Sequence, residues 1–175
     1  MKSLTDMIAK LKRVNSNIEK MKDDLGRELA NLGWDEAHAV LQNHVYSGQT
    51  IESLTAEVGK WGKNEHVYEL YMESPAALFV EFGTGLPGQG HPKAAELGMG
   101  TGTYPGQTHA EDPGGWWFET DDPQLIVRTD EKTGKTYGHT YGNPPYMPMY
   151  LAAKKIKQEA GKVTAKLVKE TLRDD

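Results

Sequence analysis

The sequence predicts an α+β fold, with a long N-terminal helix, a small and mostly antiparallel sheet carrying a long glycine-rich loop, and a C-terminal helix. Three observations predict it. Apolar residues first recur every seven positions, then alternate with a period of two, and form a second helical stripe after Pro148. A length of 175 residues suits a single domain over 1–175, with a helical segment 1–46, a β region 47–146 and a C-terminal helix 147–172.

The predicted N-terminal helix carries a sustained heptad stripe. The apolar a and d positions are Leu4, Met7, Leu11, Val14, Ile18, Met21, Leu25 and Leu32. Gly26 weakens this helix, and Asn31 and Gly33 are expected to end or bend it before a second helical piece over 34–46. The stripe packs either on the protein's own sheet, which we favour, or on a helix of another subunit.

Short strands are predicted in the middle of the chain, where apolar residues alternate. A loose pattern covers 51–58, followed by turn residues from Trp61 onward and a clearer strand at 67–72. Further strands are expected at 114–119 and at 125–128. The polar segment Asp-Glu-Lys-Thr-Gly-Lys, residues 130 to 135, reads as the tip of a hairpin.

Two other segments complete the predicted order. Residues 76–82 form either a short helix or an apolar strand, since a run of this length fits both. Residues 83–115 contain ten glycines and are expected to form a long loop without regular structure. The stripe of the final helix consists of Met149, Ala152, Ile156, Ala160, Val163 and Leu167.

Composition and charge exclude several classes of protein. The chain has no cysteine, so disulfide and thiol chemistry are excluded, and a reducing cytosol is expected. No apolar run is long enough to span a bilayer, and no signal-peptide pattern follows Met1, which together predict a soluble protein. The net charge is −5 and residues 37–146 are strongly acidic, which argues against tight wrapping by nucleic acid.

Two glycine motifs resemble phosphate-binding sites but stand in the wrong context. Residues 134–136, Gly-Lys-Thr, match the end of a P-loop, but Thr129 stands where a glycine is required. Residues 83–88 match GxGxxG, yet Pro87 blocks the following helix and no βαβ unit surrounds the motif. Neither motif predicts a bound nucleotide.

The six histidines are scattered along the chain. His91 with Glu96, or His109 with Glu111, would be candidate metal ligands, but a metal site needs fixed ligands with supporting hydrogen bonds. Solvated surface histidines are the favoured interpretation, and we expect neither a metal nor a cofactor.

A carboxylate pair and a tryptophan pair are the remaining candidates for a functional site. Glu81 with Glu119 or Asp121 would suit acid–base chemistry, but ordinary surface or interface carboxylates are favoured. Trp116 and Trp117 would stack a base or a sugar as an aromatic platform. Since adjacent strand residues point to opposite faces, we favour one tryptophan in the core and the other at a subunit interface.

Two segments carry a resemblance to a known family. Residues 77–85 read Ala-Leu-Phe-Val-Glu-Phe-Gly-Thr-Gly, which resembles the vEFGTG signature of small tail-component proteins of long-tailed phages. Residues 145–152 resemble the Pro-Phe-Met-x-x-Ala segment that opens the family's C-terminal helix, with Tyr146 in place of Phe and an additional Pro148. The Gly-Trp-Trp segment between them also fits, and the resemblance covers about residues 65–160.

The resemblance implies a structural virion protein that joins or completes the tail at the head–tail interface, the neck, as a homo-oligomeric ring. Its partners would be copies of itself and neighbouring neck, connector, tail-tube or terminator proteins, with DNA only as transiting cargo. Assembly would take place in the host cytoplasm. The candidate interface residues are Glu81, Phe82, Gly83, Thr84, Gly85, Trp116, Trp117, Tyr146 and Met147.

Two further expectations concern the glycine element. We expect Gly83 and Gly85 to act as a hinge that releases the loop toward a neighbouring subunit, and Glu81 to anchor this exit by accepting backbone N–H bonds. Two alternatives remain open for the function. One is a tail-assembly adaptor or chaperone that never enters the particle. The other is a small enzyme using the loop, although Lys93 is the only lysine or arginine within 83–115.

Overall fold

The fold is α+β, as the sequence predicts, with a long N-terminal helix, small antiparallel sheets and a C-terminal helix. The computed structural model describes residues 3–44, 52–61, 65–100, 109 and 112–173. The contacts group into two compact units, and the single domain stays a prediction. Unit 1 comprises Met1–Glu73 and Pro148–Asp175, and unit 2 comprises Ser74–Met147.

The elements follow the predicted order. The helices are α1 (Leu4–His44), α2 (Ala77–Phe82), α3 (Ala94–Leu97) and α4 (Pro148–Arg173). The strands are β1 (Leu54–Trp61), β2 (Glu65–Met72), β3 (Thr84–Gly85), β4 (Trp116–Glu119), β5 (Arg128–Thr129), β6 (Thr136–Thr140) and β7 (Gly142–Asn143). Every pairing is antiparallel: β1 with β2, β3 with β7, and β6 between β4 and β5. None of the described helices is long and apolar enough to cross a membrane.

In unit 1, α1 runs without a break, which corrects the predicted end at Asn31 and Gly33. Gly33 is buried, and a Cβ at this position would lie 2.7 Å from the Ile156 side chain of α4. The close approach of the two helices explains this glycine better than its low helix propensity does, because packing routinely overrides propensity. The predicted second piece, 34–46, is the continuation of α1 as far as His44, and its last residues lie outside the described range.

The core of unit 1 forms where α1 packs on α4 and on the β1–β2 hairpin. Its buried apolar residues are Ala37, Leu41, Leu54, Ala152 and Val163. The Trp34 indole N–H donates to the Leu54 carbonyl at 3.2 Å, tying α1 to the hairpin. Strand β2 confirms the prediction at 67–72 and extends it, whereas Trp61, predicted as a turn residue, ends β1.

Gly26 makes room for a tyrosine of the hairpin. A Cβ on Gly26 would lie 2.2 Å from the Tyr68 ring, so the ring occupies the space of the missing side chain. The Tyr68 hydroxyl donates to the Asp23 carbonyl at 2.8 Å and also contacts the Asp23 carboxylate. Arg27 holds the same carboxylate at 2.9 Å. Gly26, which lowers the helix propensity of α1, therefore also allows α1 to pack closely on β2.

Alanine substitutions at two helical glycines are expected to change stability in opposite directions. Gly161→Ala on α4, where no atom lies within 4 Å of the new methyl group, should gain about 0.5–1 kcal/mol from helix propensity. Gly26→Ala should instead destabilise the protein by about 1–3 kcal/mol, because the Tyr68 ring must move. Urea denaturation of both variants checks this, and a stabilised Gly26→Ala would contradict the packing of Tyr68.

Alkaline pH is expected to weaken unit 1 through Tyr68. Burial, followed by the hydrogen bond to Asp23, raises the pKa of Tyr68 to about 12 from its ordinary 10. The folded state therefore favours the neutral phenol of Tyr68. Its contribution to the free energy of unfolding is complete below pH 10 and is lost as the pH rises to about 12. We expect Tyr68→Phe to lose less stability than the native chain across this interval in parallel denaturation series. Equal losses of stability in the two proteins would show that the Tyr68 phenol is not stabilised in its neutral form by the fold.

In unit 2, residues 76–82 resolve as a helix, since α2 covers Ala77–Phe82. The segment 83–115, predicted to lack regular structure, contains β3, a 3₁₀ turn at Leu86–Gly88 and α3 within its described part. Pro87 is the second residue of the 3₁₀ turn, where no backbone N–H donor is needed, and Gly98 ends α3 in the left-handed conformation.

The β4–β6–β5 sheet confirms the predicted hairpin and shortens one strand. The hairpin tip closes where the Asp130 N–H donates to the Lys135 carbonyl at 2.8 Å. The strand predicted at 125–128 is wrong except for Arg128, because Leu125 closes a turn by donating its N–H to the Asp122 carbonyl at 3.0 Å. Pro123 lies inside this turn and disfavours strand pairing there.

Candidate functional site

The Gly-Thr-Gly element is paired with a strand distant in sequence. Thr84 lies opposite Asn143, and Gly85 lies opposite Gly142, in the β3–β7 pair. The Asn143 N–H donates to the Thr84 hydroxyl oxygen at 3.0 Å, and the Asn143 side-chain amide donates to the Phe79 carbonyl at 3.1 Å. Asn143 therefore links the end of α2 to β3, a role that no sequence pattern revealed.

Gly83 lies against backbone on several sides. Its φ is +79° and its ψ is −179°, a conformation that L residues rarely adopt. A Cβ there would lie 2.7 Å from the Asn143 carbonyl oxygen, 2.7 Å from Gly88 Cα and 2.8 Å from Pro145 N. This packing corrects the predicted hinge, because a hinge needs freedom that surrounding backbone does not leave. Gly83 instead permits a close approach of chain segments.

The second family-like segment completes this arrangement. The Tyr146 N–H donates to the Val80 carbonyl at 3.0 Å, which ties the approach to α4 onto α2. Met147 has a φ of 60° and is the only described non-glycine residue with a positive φ. We call residues 79–85 together with 142–146 the junction. Six of the predicted interface residues thus lie in the junction: Glu81, Phe82, Gly83, Thr84, Gly85 and Tyr146.

Glu81 of the junction forms a buried pair with His91. The His91 side chain is only 2% exposed, that of Glu81 is 10% exposed, and His91 Nε2 lies 3.1 Å from Glu81 Oε1. His91 Nδ1 accepts the Lys93 N–H at 3.1 Å, which assigns the imidazole proton to Nε2, donating to Glu81. The Phe82 ring packs on the imidazole, with ring centroids 4.5 Å apart.

The prediction that His91 is a solvated surface residue is therefore wrong. Its burial follows from the carboxylate beneath it, since a buried Glu81 requires a hydrogen-bonding partner. One indirect signal of this burial was present in the sequence, because Glu81 stands in the middle of an apolar run. The expected role of Glu81 as an acceptor of backbone N–H bonds stays a prediction.

The remaining histidines occupy varied environments. His38 is half-buried and stacks on Trp34, and His139 is half-buried beside Trp117. His44 and His109 are exposed, as predicted. The side chain of His66 lies outside the described part of the chain.

The metal and carboxylate candidates do not come together. Within the described residues, no three histidine, aspartate or glutamate side chains converge to hold a metal ion. Glu111, the predicted partner of His109, lies outside those residues. Glu119 is exposed and pairs with Lys135 at 2.6 Å, while Glu81 faces His91, so each carboxylate has its own cationic or imidazole partner.

The two tryptophans point to opposite faces of the β4–β6–β5 sheet, as expected for adjacent strand residues. Trp116 is half-buried, and a Cβ on Gly85 would lie 3.1 Å from its ring. Trp117 is 47% exposed and lies on the outer face, beneath the Arg128 guanidinium at 4.8 Å. Trp116 is half-buried rather than part of the buried core, and the interface role of Trp117 stays a prediction.

Aromatic rings continue along the outer face of this sheet. The His139 ring contacts Trp117 on one side, with centroids 4.7 Å apart, and Tyr141 on the other, at 4.9 Å. Tyr141 is 60% exposed. Exposed Trp, Tyr and Arg side chains are typical of the centre of protein interfaces.

Comparisons with protein-family models, with curated proteins and with solved structures find no match to this chain.

Proposed function

We propose that this chain is a structural virion protein of a tailed bacteriophage, which joins or completes the tail at the head–tail interface as a homo-oligomeric ring. One observation supports this most. The two segments that resemble the phage tail-component family are about sixty residues apart in sequence, yet they meet in the junction, where Tyr146 bonds Val80 at 3.0 Å. Residues shared by a family for a common structural purpose are expected to meet in this way.

The charge distribution suits a protein through which DNA passes. Unit 2 holds nine acidic and four basic residues, so its net charge of −5 equals that of the whole chain. A ring wall with the charge sign of DNA disfavours phosphate contact and lets the duplex slide. We infer that unit 2 contributes to the inner wall, and an assembled ring whose inner wall is basic would contradict that placement.

The outer face of the β4–β6–β5 sheet suits a contact between protein subunits. Trp117 and Tyr141 are exposed there, and Arg128 stacks on Trp117. Such rings bury a large area at low entropy cost, and this favours an interface over a solvated surface.

The proposal is tested on purified particles of the phage whose genome encodes the chain. We expect quantitative mass spectrometry to find the protein in a fixed number of copies per particle, and imaging to place it at the neck. Loss of the gene should give filled heads and separate tails. Absence from purified particles would contradict the proposal.

An adaptor or chaperone that assists tail assembly is the second candidate. The exposed apolar stripe at the start of α1, with Leu4 at 73% and Leu11 at 67% exposure, favours it, because such a helix suits capture of another protein. This candidate predicts that the chain is abundant in infected cells, is required for tails, and is missing from finished particles.

A further inference from the structure

The β1–β2 hairpin packs on α1 with one of its two sides. Tyr68 points to α1, where its ring fills the space beside Gly26. Since successive strand residues point to opposite sides of a sheet, Glu57, Glu69 and Tyr71 point away from α1. We call these three residues the hairpin face. Both of its glutamates are exposed and Tyr71 is half-buried, so the hairpin face is open to a partner.

The two glutamates of the hairpin face lie directly opposite each other, since Glu57 pairs with Glu69 in the register of the two strands. Residues placed in this way have Cβ atoms about 4.5–5.5 Å apart, and like charges there destabilise the strand pair. Neither glutamate has an ion-pair partner among the described residues. The arrangement is unfavourable in a single subunit and becomes favourable when a cationic surface binds it.

The outward side of α4 carries the opposite charge. Lys154, Lys157 and Gly161 are separated by three and four positions, so they lie on one side of the helix. All three are exposed, and we call them the α4 face. No described carboxylate forms an ion pair with either lysine. Lysines three positions apart have Cβ atoms about 5–6 Å apart, which is close to the spacing of the opposed glutamates.

Gly161 gives an independent reason to expect a partner on the α4 face. The long helices of unit 1 contain Gly26, Gly33 and Gly161. A Cβ on Gly26 would lie 2.2 Å from Tyr68, and a Cβ on Gly33 would lie 2.7 Å from Ile156, so packing occupies both positions. No atom lies within 4 Å of a Cβ on Gly161. A helical glycine lowers stability relative to alanine, and no described residue of the subunit uses the space at Gly161.

We propose that the hairpin face of one copy of this chain binds the α4 face of the next copy. The two glutamates pair with the two lysines, and the Tyr71 ring fills the space beside Gly161. Both faces belong to unit 1 and they differ, so each copy uses one face toward each neighbour. Such head-to-tail contacts generate a ring when the rotation closes. The inference rests on the homo-oligomeric ring proposed above and assigns it a contact.

Charge reversal in the full-length chain tests the pairing, with the mass measured by sedimentation over a range of concentrations. We expect the native chain to form assemblies of several copies. Glu69→Lys and Lys157→Glu, each made alone, should raise the concentration of half-assembly about tenfold, because each brings like charges together. Glu131→Lys is the matched control, since it makes the same charge change at an exposed residue of unit 2. It should shift this concentration less than about threefold.

An equal mixture of the two charge-reversed variants distinguishes a contact between copies from one within a copy. The altered hairpin face of Glu69→Lys then meets the altered α4 face of Lys157→Glu, and the two native faces meet as well. Attraction is thus restored at every contact of an alternating assembly. We expect the mixture to assemble within about threefold of the native concentration. A mixture that assembles no better than either variant alone would overturn the proposal.

Urea denaturation separates a loss of assembly from a loss of folding. Glu69→Lys removes the like-charge pair with Glu57, so its urea midpoint should rise. Gly161→Leu places a good helix former where space is open, so its midpoint should also rise. Its side chain fills the space that Tyr71 would occupy, so half-assembly should need about tenfold more protein. If Gly161→Leu assembles as the native chain does, the proposed packing is wrong.

The outcomes separate this contact from the proposed function. If the native chain assembles and both charge reversals assemble equally well, the contact is overturned while the ring stands. If the native chain is monomeric at every concentration, the contact is overturned, and absence from purified particles would overturn the proposed function as well. The lysines of the α4 face also suit the phosphates of DNA. Loss of binding to double-stranded DNA in Lys157→Glu, with its assembly unchanged, would overturn the contact in favour of DNA.

Discussion

Replacing Gly83 with alanine is expected to destabilise unit 2 by about 3–5 kcal/mol, the sum of backbone strain and overpacking. The strain arises because φ is +79° with ψ near 180°, a region essentially confined to glycine. The overpacking arises because the methyl group would lie 2.7 Å from the Asn143 carbonyl oxygen and from Gly88 Cα. These are backbone atoms, which cannot turn away as a flexible side chain does. Urea denaturation followed by tryptophan fluorescence measures the loss.

Gly98→Ala is the matched control for this variant. Gly98 also has a positive φ, +66°, but no atom lies within 4 Å of a Cβ placed there. It should therefore cost only the left-handed backbone penalty, about 1 kcal/mol. The difference between the two variants isolates the close approach at the junction.

This result also distinguishes a packed junction from a hinge. A hinge at Gly83 predicts that the variant remains stable and fails only in assembly. The packed junction predicts that stability falls first and that assembly fails as a consequence. If the Gly83→Ala protein has the same urea midpoint of unfolding as the unsubstituted protein but forms no particles, the hinge interpretation is correct.

The sequence predicted the long elements because their signals are repeated many times. Eight apolar heptad positions point to α1, and six point to α4, so no single residue decides either helix. The error within α1 came from individual residues. Gly33 reads as a helix end by propensity, but it is buried where Ile156 would meet a Cβ at 2.7 Å. That contact joins residues more than a hundred positions apart, so no local pattern contains it.

The position of the candidate site in the sequence could be predicted, but the contacts that its residues make could not. Glu81 and Gly83 stood out because a carboxylate and a glycine interrupt an apolar run. Their partners, His91 and Asn143, did not, since both lie in polar, proline- or glycine-containing surroundings that usually read as exposed loop. Only tertiary contact shows that a loop histidine is 2% exposed and that a strand of two residues carries Asn143.

Replacing Glu81 with leucine is expected to cost about 2–4 kcal/mol of unfolding free energy, because it removes the acceptor of a buried imidazole N–H. The leucine fills a similar volume, so the loss is electrostatic rather than a cavity. Glu81→Gln retains a side-chain oxygen that can accept the hydrogen bond from His91 Nε2, which lies 3.1 Å from Glu81 Oε1 in the native protein. This variant should lose about 1 kcal/mol of unfolding free energy or less. The ordering of the two variants, measured by urea denaturation, is the sharper result.

Glu119→Leu controls for the general effect of removing a carboxylate from unit 2. Glu119 is exposed and pairs with Lys135 in water, so its removal should cost far less than that of Glu81. A second check combines Glu81→Leu with His91→Leu. Since replacing both members of a buried polar pair by apolar residues removes the unsatisfied group, the double variant should recover much of the stability lost in Glu81→Leu. If instead the two losses add, the pair at 3.1 Å is not the interaction that holds Glu81 in the core.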